Sequence, residues 1–139
     1  MSGLAASPTG LRQVALAGGE NLDETLAFWR DVIGLDTYAR FDPPGIAFIR
    51  ISGVRLYFAQ GTLPATIYLD EPRLLEFSKA AEGVGVHFMS PPTVIHVDTA
   101  GEFGLPGEAE WMAFLKDPAG NTIGLVERRP HAASDTGLP

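Results

Sequence analysis

The sequence contains no cysteine, which excludes disulfides, thiolate metal sites and thiol nucleophiles. It also lacks any apolar run near the roughly 20 residues that a membrane-crossing helix needs. The opening stretch, MSGLAASPTG, has neither a basic region nor a long apolar region, so no signal peptide is expected. A cytoplasmic protein with no membrane partner fits these absences. Basic residues are scarce, with 10 Lys and Arg against 17 Asp and Glu and a formal net charge of −7. Nucleic-acid binders concentrate Lys and Arg to neutralise phosphates, whereas the only adjacent basic pair here is Arg128-Arg129. No nucleic-acid partner is expected. Phosphate-binding glycine motifs and the GxSxG nucleophile elbow are absent as well.

Apolar residues, by contrast, make up 45% of the 139 positions, enough for one domain with a real core. That domain is expected over residues 10–129, between a flexible arm at 1–9 and a flexible tail at 130–139. In LRQVALAG, Val14 and Leu16 share one face of a strand. Asn21 is placed to cap a helix in which Leu22, Leu26, Trp29 and Ile33 form one stripe, and Gly34 stops it. TYARF, IAFIRI and VRLYFAQ then read as strands, separated by Asp42-Pro43-Pro44-Gly45 and Ser52-Gly53. The same order recurs. ATIYL is a strand, Pro72 opens a helix packed through Leu74, Leu75, Phe77, Ala80 and Ala81, and Gly83 and Gly85 end it. VHFM, a break at Pro91-Pro92 and a strand near TVIHV follow, then an inserted loop from Thr99 to Gly107. The stretch EWMAFLKDPAGNTIGLVERR closes the second half as strand, turn and strand. This duplication predicts an α+β fold of two βαβββ units, 10–61 and 62–129, forming a curved eight-stranded mixed sheet around a cavity.

The segments LDETLAFWRDVIGL and WMAFLKDPAGNTIGLVE, in this order and at this separation, resemble the vicinal oxygen chelate superfamily of glyoxalases, bleomycin-resistance proteins and extradiol dioxygenases. The resemblance covers about residues 11 to 127 and implies the fold rather than any one reaction. Metal-using members of that group draw ligands, usually His, Glu or Gln, from four cavity-facing strand positions. Those positions correspond here to Gln13, Tyr57, Thr66 (or Ala65) and Gly124. Divalent metals need several converging oxygen or nitrogen donors. A neutral amide, a phenol, a hydroxyl and a glycine make a poor set. No metal ligand and no cofactor are therefore expected; a divalent metal enters only if this alignment of four positions is wrong. Members of the group are commonly homodimers, so a homodimer is implied too.

Several further residues are candidates. His87 reads as an ordinary strand residue or as a cavity acid/base. His96 reads as a surface residue or as an acid/base partner of Glu108 or Glu110. His131 falls in the tail and reads as incidental. Tyr68 shares the face of Thr66 by alternation, and Tyr57 and Tyr68 suit a flat apolar ligand as well as they suit plain core filling. Trp111 and Phe114 cannot both face inward, and Arg55 shares the face of Tyr57, where it could meet a ligand carboxylate or reach solvent. The expected ligand-binding set is Gln13, Arg55, Tyr57, Thr66, Tyr68, Trp111 and Gly124; for catalysis it is Gln13, Tyr57 and His96. The function expected is binding of a small, mainly apolar organic molecule without the usual metal, as sequestration or as metal-free acid/base chemistry. The alternative is a metal-dependent lyase, isomerase or epimerase, or dioxygenase on the same scaffold.

Overall fold

A computed structural model describes residues 4–131 of the chain. Its strands are β1 (Gln13–Ala17), β2 (Thr37–Phe41), β3 (Ile46–Ile51), β4 (Val54–Ala59), β5 (Thr66–Asp70), β6 (Ser90–Asp98), β7 (Glu108–Lys116) and β8 (Thr122–Pro130). Helix α1 (Leu22–Phe28) follows β1, and α2 (Leu74–Gly83) follows β5. The βαβββ order therefore occurs twice, as the repeat in the sequence predicts. The eight strands divide into two mixed sheets of four, ordered β1-β4-β3-β2 and β5-β8-β7-β6. In each sheet the strand before the helix runs parallel to the last strand of its unit, and the other pairings are antiparallel.

Local rules account for much of this. The Asn21 side chain accepts from the Glu24 backbone N–H at 3.1 Å, and Asp23 and Glu24 sit in the first turn, where the helix dipole favours them. After Phe28 the helix widens into a π-helical turn, Trp29–Ile33, and Gly34 ends it in the left-handed region at φ 87°. That widening places Trp29 fully inside, edge-on to Phe58 at 5.2 Å.

Two stretches differ from expectation. VHFM forms no strand; residues 84–89 are irregular, and His87 is exposed among them. Pro91 and Pro92, read as a break, lie within β6 instead. β6 is the outermost strand of its sheet and bulges between Ser90 and Thr93, and edges and bulges are both settings in which a strand tolerates prolines.

Alternation gives each sheet one inner face. Leu16, Ile49, Leu56 and Phe58 from the first sheet and Leu69, Ala113, Leu115, Ile123 and Leu125 from the second join one buried cluster with Trp29 and Leu74 of the helices. The two sheets therefore share a core through these faces. Gln13, Tyr57, Thr66 and Gly124 belong to the opposite, outer faces, since each alternates with those core residues.

Candidate functional site

On the outer face of the first sheet, register puts Gln13 beside Arg55, Ala15 beside Tyr57, Phe48 beside Tyr57, and Arg50 beside Arg55. The aromatics form a row across three strands. Phe41 and Phe48 meet edge-on at 6.2 Å, and Phe48 and Tyr57 lie 5.4 Å apart. The Arg55 guanidinium lies over Phe48 at 5.6 Å, and that of Arg50 over Tyr38 at 4.1 Å. Gln13 is exposed and Tyr57 half-buried. Phe48 and Phe41 escaped the sequence reading, although the alternation of IAFIRI already set Phe48 apart from Ala47 and Ile49.

On the outer face of the second sheet, Thr66 pairs with Thr122 and Tyr68 with Gly124. The register repeats that of the first sheet, so Gly124 occupies the place in its unit that Tyr57 holds in the other. The space a side chain would take at Gly124 is already filled. A Cβ there would stand 2.7 Å from Tyr68 Cδ2 and 2.9 Å from Phe114 Cε1, and these two rings meet edge-on at 5.9 Å over the glycine. Trp111, expected as a ligand residue, faces the core instead and is only 6% exposed; Phe114, an odd step away, takes the outer face. Arg129 lies over the Trp111 ring at 5.8 Å.

The His96 pairing resolves differently from its expected acid/base role. His96 is in register with Glu110, but the carboxylates of Glu110, Glu108 and Asp98 all converge on Arg128, at 2.7, 3.0 and 2.9 Å. The exposed His96 ring instead meets Phe103 edge-on at 5.8 Å. Gln13 and Tyr57 lie on the first sheet and His96 on the outermost strand of the second, so no hydrogen bond joins the three. The His131 side chain lies just past β8.

Around Arg128 the charges set the protonation states. Its guanidinium is raised above the ordinary arginine range by the hydrogen bond to Glu110, opposed by burial and reinforced by Glu108 and Asp98. Burial alone would raise Asp98. Backbone N–H groups of Phe103 and Glu102, together with Arg128, outweigh it and hold the carboxyl down at about 2, against 3.8 ordinarily. Those contacts fasten the inserted loop to the end of β6. A depressed carboxyl stabilises the fold fully above its unfolded value and loses that contribution as pH falls through the folded one. Between pH 4 and pH 2 the urea midpoint of the wild type should therefore drop more steeply than that of Asp98→Asn. Equal slopes would show that Asp98 is not held this way.

A metal at the four aligned positions does not fit these residues. Gly124 offers no donor and its side-chain volume is taken by two rings. Among the described residues no group of three or more His, Asp or Glu could hold a metal ion. A separate apolar groove of about 300 Å³ opens where β1 and β4 approach β5, lined by Val14, Ile51, Val54, Ile67 and Tyr68 among others. It shares Tyr68 with the expected set but not Gln13, Tyr57, Thr66 or Gly124.

The feature that joins the two units is the turn Asp117-Pro118-Ala119-Gly120-Asn121. Asn121 is fully buried. Its Oδ1 accepts from the Ala17 N–H and the Ala65 N–H, each at 3.0 Å, and its Nδ2 donates to the Ala17 carbonyl at 2.8 Å. Asp117 Oδ2 accepts from Trp29 Nε1 and from Asn121 Nδ2, both at 2.8 Å, while its Oδ1 accepts from the N–H groups of Ala119 and Asn121. One loop thereby holds the end of β1, the start of β5 and helix α1.

Paired βαβββ units of this topology define the vicinal oxygen chelate fold, that of the glyoxalase/bleomycin resistance/dioxygenase superfamily, and solved structures of that superfamily superpose on the chain. A lactoylglutathione lyase from Agrobacterium tumefaciens is 18% identical over 88% of this chain and 96% of its own, with a TM-score of 0.65. TnmS3, an antibiotic binding protein from a Streptomyces species, is 14% identical over 90% and 100%, also with a TM-score of 0.65. A superfamily member from Sphaerobacter thermophilus is 19% identical over 86% and 98%, with a TM-score of 0.62. No family model matches the sequence, and no curated protein does.

Proposed function

We propose that the chain binds a small, mainly apolar organic molecule against the outer face of its first sheet, without the metal that the fold elsewhere employs. The observation that carries this reading is the row Phe41, Phe48 and Tyr57, with Phe41 54% exposed at one end and Gln13 and Arg55 at the other. An open aromatic row with a few polar groups at its margin suits a flat ligand. The poor donor set at Gln13, Tyr57, Thr66 and Gly124 supports binding without a metal. The Streptomyces neighbour, an antibiotic binding protein, is built on the same fold, so ligand capture is work this scaffold can do. A homodimer would cover the exposed row and enclose the ligand, and is part of the proposal. Sequestration fits better than acid/base catalysis, because Glu108 and Glu110 are committed to Arg128 rather than to His96.

The test is elemental analysis after incubation with Mn, Fe, Ni or Zn and desalting, beside amide NMR of the same sample titrated with naphthalenemethanol. Substoichiometric metal, with probe-induced shifts at Phe48 and Tyr57, is the expected result. One tightly held metal per chain would overturn it and return the lyase or dioxygenase reading.

A further inference from the structure

The first sheet holds two guanidinium groups, Arg50 and Arg55, with no negative partner among the described residues. Arg50 and Arg55 are directly opposite each other on β3 and β4, an arrangement in which like charges destabilise a sheet. Arg30, Arg40, Arg73 and Arg128 each meet at least one carboxylate, and the chain has 17 acidic residues to draw on. No carboxylate among the described residues comes within salt-bridge reach of Arg50 or Arg55. Each lies instead over an aromatic ring, Tyr38 or Phe48. Stacking covers the plane of a guanidinium and leaves the N–H donors along its edge available. For Arg55 one of those donors is a defect as it stands, since Nε is buried and has no acceptor. Buried donors without acceptors are rare and call for an explanation.

We infer that the ligand carries a carboxylate, which Arg55 and Arg50 hold while its apolar body lies along Phe48 and Tyr57. A planar carboxylate matches the guanidinium fork; a small shift of the Arg55 side chain toward it would give the buried Nε its acceptor, and the added negative charge relieves the repulsion across the two strands. Gln13, beside Arg55 on the other flank, supplies an amide donor at the same end. The ligand class is thus an aromatic or otherwise flat monocarboxylic acid. The inference rests on the site proposed above and adds the charge of its occupant.

The experiment titrates the full chain with naphthoate and, separately, with the neutral naphthalenemethanol, following amide shifts and affinity at two salt concentrations. Naphthoate should bind roughly tenfold or more tightly than the alcohol, as a charge-assisted pair allows, and should weaken with salt. Arg55→Gln and Arg50→Gln should each remove most of that preference, bringing the affinity for naphthoate close to that for the alcohol. Arg55→Lys, which keeps the charge but not the fork, should recover only part of it. The dispersion of the amide spectrum and the urea midpoint show that the variants are folded. If both probes bind equally and the variants change neither, the carboxylate inference fails and the apolar site stands. If neither probe binds to the wild type, both fail together.

Discussion

Asn121→Ala is expected to lower the unfolding free energy by about 3–5 kcal/mol, measured as the urea midpoint at neutral pH. The truncation strands the buried N–H of Ala17 and the part-buried N–H of Ala65, and weakens the partnering of the buried Ala17 carbonyl. Each unsatisfied buried group costs about 1–3 kcal/mol. Water admitted to the small cavity would recover some of that, which sets the lower end of the range. Domains of this kind have only about 5–15 kcal/mol in total, so the variant sits near the edge of folding. Asn121→Asp separates two effects: it keeps acceptors for both N–H groups but loses the donor to Ala17 O and places a charge beside Asp117. It should be no more stable than Asn121→Ala. A loss below 1 kcal/mol in both would mean that the turn does not tie the units together.

Gly124→Glu, which supplies the carboxylate that the fold elsewhere places there, should destabilise by about 3 kcal/mol. Overpacking accounts for about 1–3 kcal/mol, because even a Cβ meets Tyr68 at 2.7 Å and Phe114 at 2.9 Å. The remainder comes from a carboxylate pressed among rings with no cation beside it. Gly124→Ala should show the packing part alone. Tyr68 is 57% exposed, so Tyr68→Ala costs little by itself and opens the space its ring occupied. Combined with Gly124→Glu it should recover most of the loss, a coupling readable in a double-mutant cycle of thermal or urea unfolding. Strictly additive effects would show that the tyrosine does not fill the glycine's place.

The parts of the fold legible in the sequence are those ruled by local chemistry. The Asn21 cap, the Gly34 stop and the Ser52-Gly53 hairpin each follow from what one or two residues can do with their own backbone. The π-helical turn at Trp29 was not legible; its indole bonds the carboxylate of Asp117, 88 residues away, a partner that the local pattern does not reveal. The turn DPAGN reads from sequence as a turn and nothing more. Its partners are backbone groups of two alanines, and an amide that binds backbone leaves no trace in the partners' side chains. Trp111 and Phe114 show a different limit: parity says that only one faces outward, and Trp111 shares the buried face of Ala109, Ala113 and Leu115. At the candidate site, Gln13 and Tyr57 were readable through the family resemblance and Arg55 by alternation from Tyr57. Arg50 and Phe48 are set apart by the alternation of IAFIRI, but their place beside Arg55 and Tyr57 shows only when β3 is laid in register against β4.

The staple at Asn121 has a consequence for how the chain is made. Ala17 lies 104 residues before the side chain that completes its hydrogen bonds. During synthesis the first unit emerges with the end of its first strand still open to water, and domains generally form in the order of emergence. Its helix waits as well, since the indole of Trp29 finds its acceptor only when Asp117 arrives. The first half thus emerges unfinished, and the last hairpin locks it. A duplicated architecture suggests two parts that ripen separately; the placement of one amide makes the second copy the finishing step of the first.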